Sequence, residues 1–178
     1  MSADTARPVA AAETLAFIAL GSNLGDSPRL LCEVADRLAA LSTRPLLRSS
    51  LWRTAPVDCP PGSADFLNAV VGLCALPGET PASLLTKLRT LEREFGRRPK
   101  RVLNEARPLD LDLIAFGAAV ATSAGLTLPH PRAAGRRFVL APLAEIAPDL
   151  ILPGQRESVR ALLASLSPTD CVCVGVRV

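Results

Sequence analysis

Apolar positions along the chain switch between the continuous or alternating runs of strands and the three-to-four spacing of helices. The stretch "LAFIALGSN" (15–23) is almost uninterrupted in apolar residues and ends at Gly21, as a short buried strand does. Asp26 or Ser27 can cap a following helix, with Pro28 in its first turn and apolar residues at 30, 31, 34, 38 and 41. "LLRSSLWRT" (46–54) is a second strand, and "VDCPPGSAD" (57–65) is a loop that Pro60 and Pro61 keep out of regular structure. "FLNAVVGLCAL" (66–76) is a third strand. "TPASLLTKLRTLEREFG" (80–96) is a helix with Thr80 as cap and Gly96 as stop.

An arginine-rich loop (97–106) leads into "RPLDLDLIAFG" (107–117), a strand. A Pro- and Arg-rich loop, "LTLPHPRAAGRRF", comes next, then the helical "VLAPLAEIAP" and a final helix near 155–165. The closing "CVCVGVRV" alternates like a strand, with no task the sequence assigns. This order predicts an α+β domain, an antiparallel sheet with helices packed against it. The domain is expected over 15–166, after a flexible extension (1–14) and before a C-terminal tail (167–178).

Within the 107–117 strand, two aspartates interrupt an otherwise apolar run. Residues two apart on a strand point to one face, about 6.5–7 Å apart along the chain. Asp110 and Asp112 therefore project together, while Leu109, Leu111 and Leu113 fill the opposite face. Like charges so placed repel, and burying either without a partner is costly, so a cation is expected between them. Two readings satisfy this. One or two Mg²⁺ ions suit a few carboxylates completed by water and substrate phosphates. Alternatively each aspartate pairs with an arginine, Arg107 serving for one of them.

Composition narrows the classes. The 178 residues fit one domain, long enough to bury a real core. Hydrophobic residues make up 49% and aromatics only 3%, so each phenylalanine is worth locating. A net charge of +3 is too mild to indicate a nucleic-acid partner, although a small phosphorylated ligand is compatible. Arginines concentrate between Arg89 and Arg107 and between Arg132 and Arg137. Five cysteines (Cys32, Cys59, Cys74, Cys171, Cys173) form no CxxC pair, and His130 is the sole histidine, so no zinc set of ordinary spacing exists. Free thiols point to a reducing compartment. "MSADTARPVAAAETL" lacks the apolar core of a secretory signal, and no apolar run reaches the roughly 18 residues of a membrane span. A cytoplasmic protein with no membrane partner is expected.

His130, in "LPHPR", is either a packing histidine or a phosphate contact beside Arg132 and Arg136. Arg97, Arg98, Lys100 and Arg101 are either a solvated charge run or a means of neutralising a polyphosphate that arrives with Mg²⁺. "ALGSNLGD" (19–26) suggests phosphate cradling at a helix start, yet it matches no standard nucleotide loop and suits a tight strand-to-helix turn better. Phe66 and Phe138 are core residues by default, and Asn68 shares the face of Phe66.

"FIALGSNLGD", "DFLNAVVGL", "LRTLEREFGR", "RPLDLDLIAFG", "LTLPHPR" and "RRFVLAPLAEIAPDL" occur together in one order. In that combination the chain resembles the 6-hydroxymethyl-7,8-dihydropterin pyrophosphokinase family of folate biosynthesis, over roughly residues 15 to 165. The resemblance implies a ferredoxin-like α/β/α sandwich with a mainly antiparallel central sheet. It implies transfer of the β,γ-pyrophosphoryl group of ATP to the pterin hydroxymethyl oxygen, with release of AMP. Asp110 and Asp112 would then hold two Mg²⁺ ions on the triphosphate, with Arg97 and Arg107 stabilising developing charge. Phe66 and Phe138 would sandwich the pterin, Asn68 would read its polar edge, and backbone groups near Thr54 and Val57 would assist. Glu92, Leu113, Thr127 and His130 match ATP-side positions, and Arg136 a further phosphate contact. Segments 42–64 and 97–107 match mobile catalytic loops. The partners implied are the two small molecules, pterin and ATP, with no nucleic acid, bound to a monomer.

The departures from the family pattern cluster in one segment. Relatives carry a tryptophan and Gly-Pro ahead of the arginine before DLD, where this chain has Asn104, Glu105 and Ala106. Pro99 replaces a commonly basic residue, and Gly125 stands where some relatives have an ATP-contacting arginine. A second reading follows from them, a relative that binds pterin or nucleotide without efficient transfer.

Overall fold

A computed structural model describes residues 13–56, 62–97, 106–168 and 171–178. The strands are β1 (Leu15–Ser22), β2 (Leu47–Arg48), β3 (Ser50–Thr54), β4 (Phe66–Cys74), β5 (Asp110–Phe116), β6 (Ala121–Ser123), β7 (Leu126–Leu128) and β8 (Cys171–Arg177). The helices are α1 (Ser27–Ala39), α2 (Pro81–Glu94), α3 (Arg137–Ile146) and α4 (Val159–Ser165), with a 3-10 turn at Ala133–Gly135.

Six strands form one sheet in the order β5-β1-β4-β3-β8, with β2 also paired to β4. All of these pairings are antiparallel. Strands β6 and β7 form a separate hairpin.

The helices begin where their caps dictate. Asp26 accepts a hydrogen bond from the Arg29 amide, and Thr80 and Ser83 form a reciprocal capping box ahead of α2. One face of the sheet buries Ile18, Leu20, Val71 and Leu111 against Leu31, Val34 and Leu38 of α1 and Leu84 and Leu88 of α2. The other buries Phe17, Val70 and Ile114 against Val139, Leu140 and Leu143 of α3 and Val159 of α4. Neighbours along β1 and β4 alternate between these two cores, which is the period-two pattern of a sheet covered on both faces. Leu31, Leu84, Leu88 and Leu109 are fully buried, each contributing about 1.5–3 kcal/mol over an exposed position. The result is the expected α/β/α sandwich.

Three local features differ from the sequence expectation. The second strand is broken at Ser49, whose hydroxyl accepts the Val70 amide and so takes the place of a backbone partner. The stretch after β5 contains the β6–β7 hairpin as well as loop. The 167–178 segment expected as a tail supplies the edge strand β8, and its last residue, Val178, is buried with its amide donated to the Ser49 carbonyl.

Candidate active site

Strand β5 is the edge of the sheet, and its alternation sends Leu109, Leu111 and Leu113 into the core while Asp110 and Asp112 remain part-exposed. The expected cation is present at Asp110 as two guanidinium groups. Arg97 Nη1 lies 2.8 Å and Arg107 Nη1 3.5 Å from Asp110 Oδ1. Asp112 has no arginine within bonding distance among the described residues, and His130 Nε2, cationic only when protonated, lies 3.9 Å from its Oδ2. Burial pushes the Asp112 carboxyl above the ordinary aspartate range, and the charge of Asp110 adds to this. Arginine pairing is thus seen for Asp110 and, among the described residues, not for Asp112.

Glu92, on α2, reaches the same edge. Its Oε1 accepts the Leu111 amide at 2.8 Å and also pairs with Arg97. Burial raises its pKa, against the pull of the Leu111 amide and Arg97. His130 enters from the other side. Its backbone amide donates to the Ile114 carbonyl at 2.9 Å, while its Nδ1 accepts the Arg132 amide at 3.3 Å. Burial lowers the His130 pKa, helped by the charges of Arg136 and Arg132 and opposed by Asp112. The imidazole is therefore disposed to be neutral near pH 7.

These groups line a cleft of about 220 Å³. Its lining mixes the polar Glu92, Arg97, Asp112, Thr127 and His130 with the apolar Leu85, Leu113 and Leu126. Arg89 and Gly125 also line it, and sequence reasoning gave Arg89 no role. The Arg89 Nη2 donates to the Gly125 carbonyl at 2.9 Å, and a Cβ on Gly125 would lie 3.4 Å from that nitrogen. The signal was available, because Arg89 lies one helical turn before Glu92 on the same face of α2.

A second cluster adjoins the first across β1. Gly21 faces Asn68 of β4 on one side and Asp110 of β5 on the other. A Cβ there would meet Asn68 Oδ1 at 3.4 Å and Asp110 Cβ at 3.8 Å, so the absence of a side chain keeps the two clusters adjoining. Asn68 is buried and donates through Nδ2 to Thr54 Oγ1 at 2.8 Å. Phe66, paired with Thr54 at the start of β4, and Phe138, in the first turn of α3, are both half-buried. The Arg136 guanidinium lies 5.2 Å from the Phe138 ring centre, linking the aromatic cluster to the cationic groups beside Asp112.

The structure thus brings Glu92, Arg97, Asp112, Leu113, Thr127 and His130 around the cleft with Asp110 and Arg107 beside Arg97, groups Thr54, Phe66 and Asn68 across Gly21, and sets Phe138 against Arg136. Val57, Arg98, Pro99, Lys100, Arg101, Asn104 and Glu105 lie outside the described residues.

Residues 17–148 match the family model described as 7,8-dihydro-6-hydroxymethylpterin-pyrophosphokinase (HPPK). The chain is 40% identical over 161 residues to a 2-amino-4-hydroxy-6-hydroxymethyldihydropteridine pyrophosphokinase of Methylorubrum extorquens, covering 88% of this chain and 96% of that one. It is 37% identical over 145 residues to the protein of the same name from Haemophilus influenzae, covering 79% and 86%. Among solved structures, an HPPK-DHPS in complex with substrates superposes with a TM-score of 0.68 at 12% identity, over 86% of this chain. Plasmodium falciparum HPPK-DHPS with pteroate gives 0.67 at 14%, over 85% of this chain. This chain spans 43% and 42% of those two longer chains, and at such identities the likeness concerns the fold. On the family match and the close similarity to these relatives, the chain belongs to the 7,8-dihydro-6-hydroxymethylpterin-pyrophosphokinase family.

Proposed function

We propose that this protein transfers the β,γ-pyrophosphoryl group of ATP to the hydroxymethyl oxygen of 6-hydroxymethyl-7,8-dihydropterin, releasing AMP. One observation carries the residue assignment. Asp112 lines a cleft with Arg97, His130 and several leucines, Asp110 is paired to that same Arg97, and Gly21 lies between Asp110 and the Thr54–Asn68 pair.

In this reading Leu85, Leu113 and Leu126 receive the nucleoside, with Thr127 and Glu92 beside it. His130, Arg136, Arg97 and Arg107 face the triphosphate. Phe66 and Phe138 stack the pterin, and Asn68, fixed by Thr54, reads its polar edge, with Val57 as the remaining contact. The hydroxymethyl oxygen forms its bond to the β-phosphorus as the bond from that phosphorus to the α,β-bridging oxygen breaks. AMP leaves with the bridging oxygen and the alcohol proton passes to water. The protein's part is to hold the two substrates in line and to neutralise charge.

The donor set suits Mg²⁺. No group of three or more metal-ligating side chains exists among the described residues, so two carboxylates leave most positions of an octahedral ion to water and phosphate oxygens. Asp112, held above the ordinary range beside Asp110, is a carboxylate that an added cation would stabilise. Asp110 and Asp112 would hold the two ions, which when bound neutralise the phosphate oxygens and favour displacement at phosphorus. We read the enzyme as a cytoplasmic monomer. The free thiols of Cys32, Cys74, Cys171 and Cys173 suit a reducing compartment, and no helix among the described residues is long and apolar enough to cross a membrane.

The test is AMP release from ATP, Mg²⁺ and the pterin, compared with Asp112→Ala. AMP formed only when pterin is present, and lost in the variant, supports both the reaction and the role of Asp112. Folded protein that binds pterin yet forms no AMP would overturn the reaction.

A further inference from the structure

The turn "GSN" after the apolar run of β1 contains more than a change of direction. Gly21 opens the space between Asn68 and Asp110. Ser22 and Ser27, both buried, share a hydroxyl hydrogen bond of 2.7 Å that ties the strand end to the start of α1. Asn23 has a third partner, far along the chain.

Asn23 is only 7% exposed, an unusual burial for a turn asparagine. Its backbone amide donates to the Arg107 carbonyl at 3.3 Å, and its Oδ1 accepts the Arg107 amide at 2.9 Å. One residue therefore holds both backbone polar groups of another that lies 84 positions away. Arg107 is the second described residue after 98–105 and lies three residues before Asp110. Its guanidinium turns back to Asp110 and is largely buried, with 15% of the side chain exposed. Among the described residues, Asn23 Nδ2 and Arg107 Nε are both buried without a hydrogen-bond partner. Among these residues each side chain is thus held at one atom only, Asn23 through Oδ1 and Arg107 through its Nη1 contact with Asp110. The fixed part of the pair is the two-point backbone clamp.

We propose that Asn23 is a positioning residue for catalysis, acting through Arg107. By pinning the Arg107 backbone on both sides it sets where the guanidinium sits relative to Asp110, without touching substrate itself. The inference rests on the pyrophosphokinase reading and adds to it a residue that the sequence assigned to a turn. A two-point clamp suits this task because a single hydrogen bond would leave the peptide free to rotate. A long side chain converts such a rotation into a displacement of about an ångström or more at its tip, enough to cost up to ~10²-fold in rate.

The experiment is a double-mutant cycle with Asn23→Ala and Arg107→Ala. It is read by single-turnover AMP formation from radiolabelled ATP, so that slow variants remain measurable. In the otherwise unaltered enzyme, Asn23→Ala is expected to lower the rate about 10- to 100-fold, with KM for ATP and for pterin each within about threefold. In the Arg107→Ala background the same substitution is expected to change the rate by less than about threefold, because the group it positions is gone. An equal loss in both backgrounds overturns the proposal, since Asn23 would then act independently of Arg107. Should Asn23→Ala not fold, Asn23→Leu, which keeps the bulk but has no acceptor for the Arg107 amide, is carried through the same cycle and judged by the same criterion, while Asn23→Asp, which retains that acceptor, should keep the rate within about threefold. Absence of AMP from the unaltered enzyme would instead strike at the pyrophosphokinase reading, so the two failures are distinguishable.

Discussion

The sheet has two edges, and the chain treats them in opposite ways. At β5 the outward backbone groups are taken up by other parts of the protein: the Leu111 amide goes to Glu92 and the Ile114 carbonyl to the His130 amide. Those same two residues line the cleft beside Asp112. At β8 no further strand is paired on the outer side among the described residues, and Val172, Val174 and Val176 are exposed at 62%, 39% and 51%. An edge strand leaves a row of donors and acceptors to be satisfied. At β5 that requirement draws α2 and the His130 loop onto the edge and so assembles a site. At β8 water is left to satisfy it, and a bulge opposite Ser50–Trp52 disrupts the regular ladder.

The largest effect should come from cutting the tie at the β5 edge. Glu92→Ala removes the acceptor of a buried amide and a partner of Arg97, and should cost about 2–4 kcal/mol. In a domain of this size that corresponds to a fall in Tm of roughly 5–15 °C by calorimetry. Glu92→Gln keeps an acceptor for Leu111 and should recover a substantial part. A Glu92→Ala protein as stable as its parent would show that the edge does not depend on this carboxylate.

Gly21→Ala probes the junction between the two clusters instead of the edge. The Cβ fits at 3.4 Å from Asn68 Oδ1 with little strain, so Tm should move by the equivalent of less than about 1 kcal/mol. Turnover should drop about tenfold, because the methyl group fills space between Asn68 and Asp110 that the proposed function leaves to the substrates. A large loss of stability with normal turnover per folded molecule would mean that Gly21 serves packing alone.

The fold was legible wherever periodicity runs long enough to be counted. Strand β5 could be read from Leu109, Leu111 and Leu113 against Asp110 and Asp112, and α2 from its Thr80 cap and its Leu84-Leu88-Leu91 spacing. The β6–β7 hairpin was missed because strands of three residues give no alternation to count. The break at Ser49 was missed because it depends on a hydroxyl meeting an amide of another strand. The site divides along the same line. The carboxylate pair is local and visible. The helical spacing of Arg89 to Glu92 is legible locally, but the tie from Arg89 to Gly125 spans 36 positions and the Asn23–Arg107 clamp 84, so no local window shows either partner.

At the β8 edge the expected effects are small. Val176→Lys places a charge on a half-exposed edge residue remote from the carboxylates, and should alter stability by no more than about 0.5 kcal/mol and leave AMP formation unchanged. A loss of activity there would make β8 part of the catalytic apparatus and end the contrast between the edges.

The least disruptive probe of that edge is chemical. Cys171 and Cys173 are two apart on β8, hence on one side of it, but Cys173 is exposed and Cys171 only partly so. Burial pushes the Cys171 thiol above its ordinary pKa, and only the thiolate is the nucleophile. At pH 8 Cys171 is then both less accessible and less ionised than a free thiol. Iodoacetamide should therefore alkylate Cys173 several-fold faster than Cys171, as followed by peptide mass spectrometry. Equal rates would mean that the partial burial of Cys171 is lost on the labelling timescale, by β8 leaving its place beside β3.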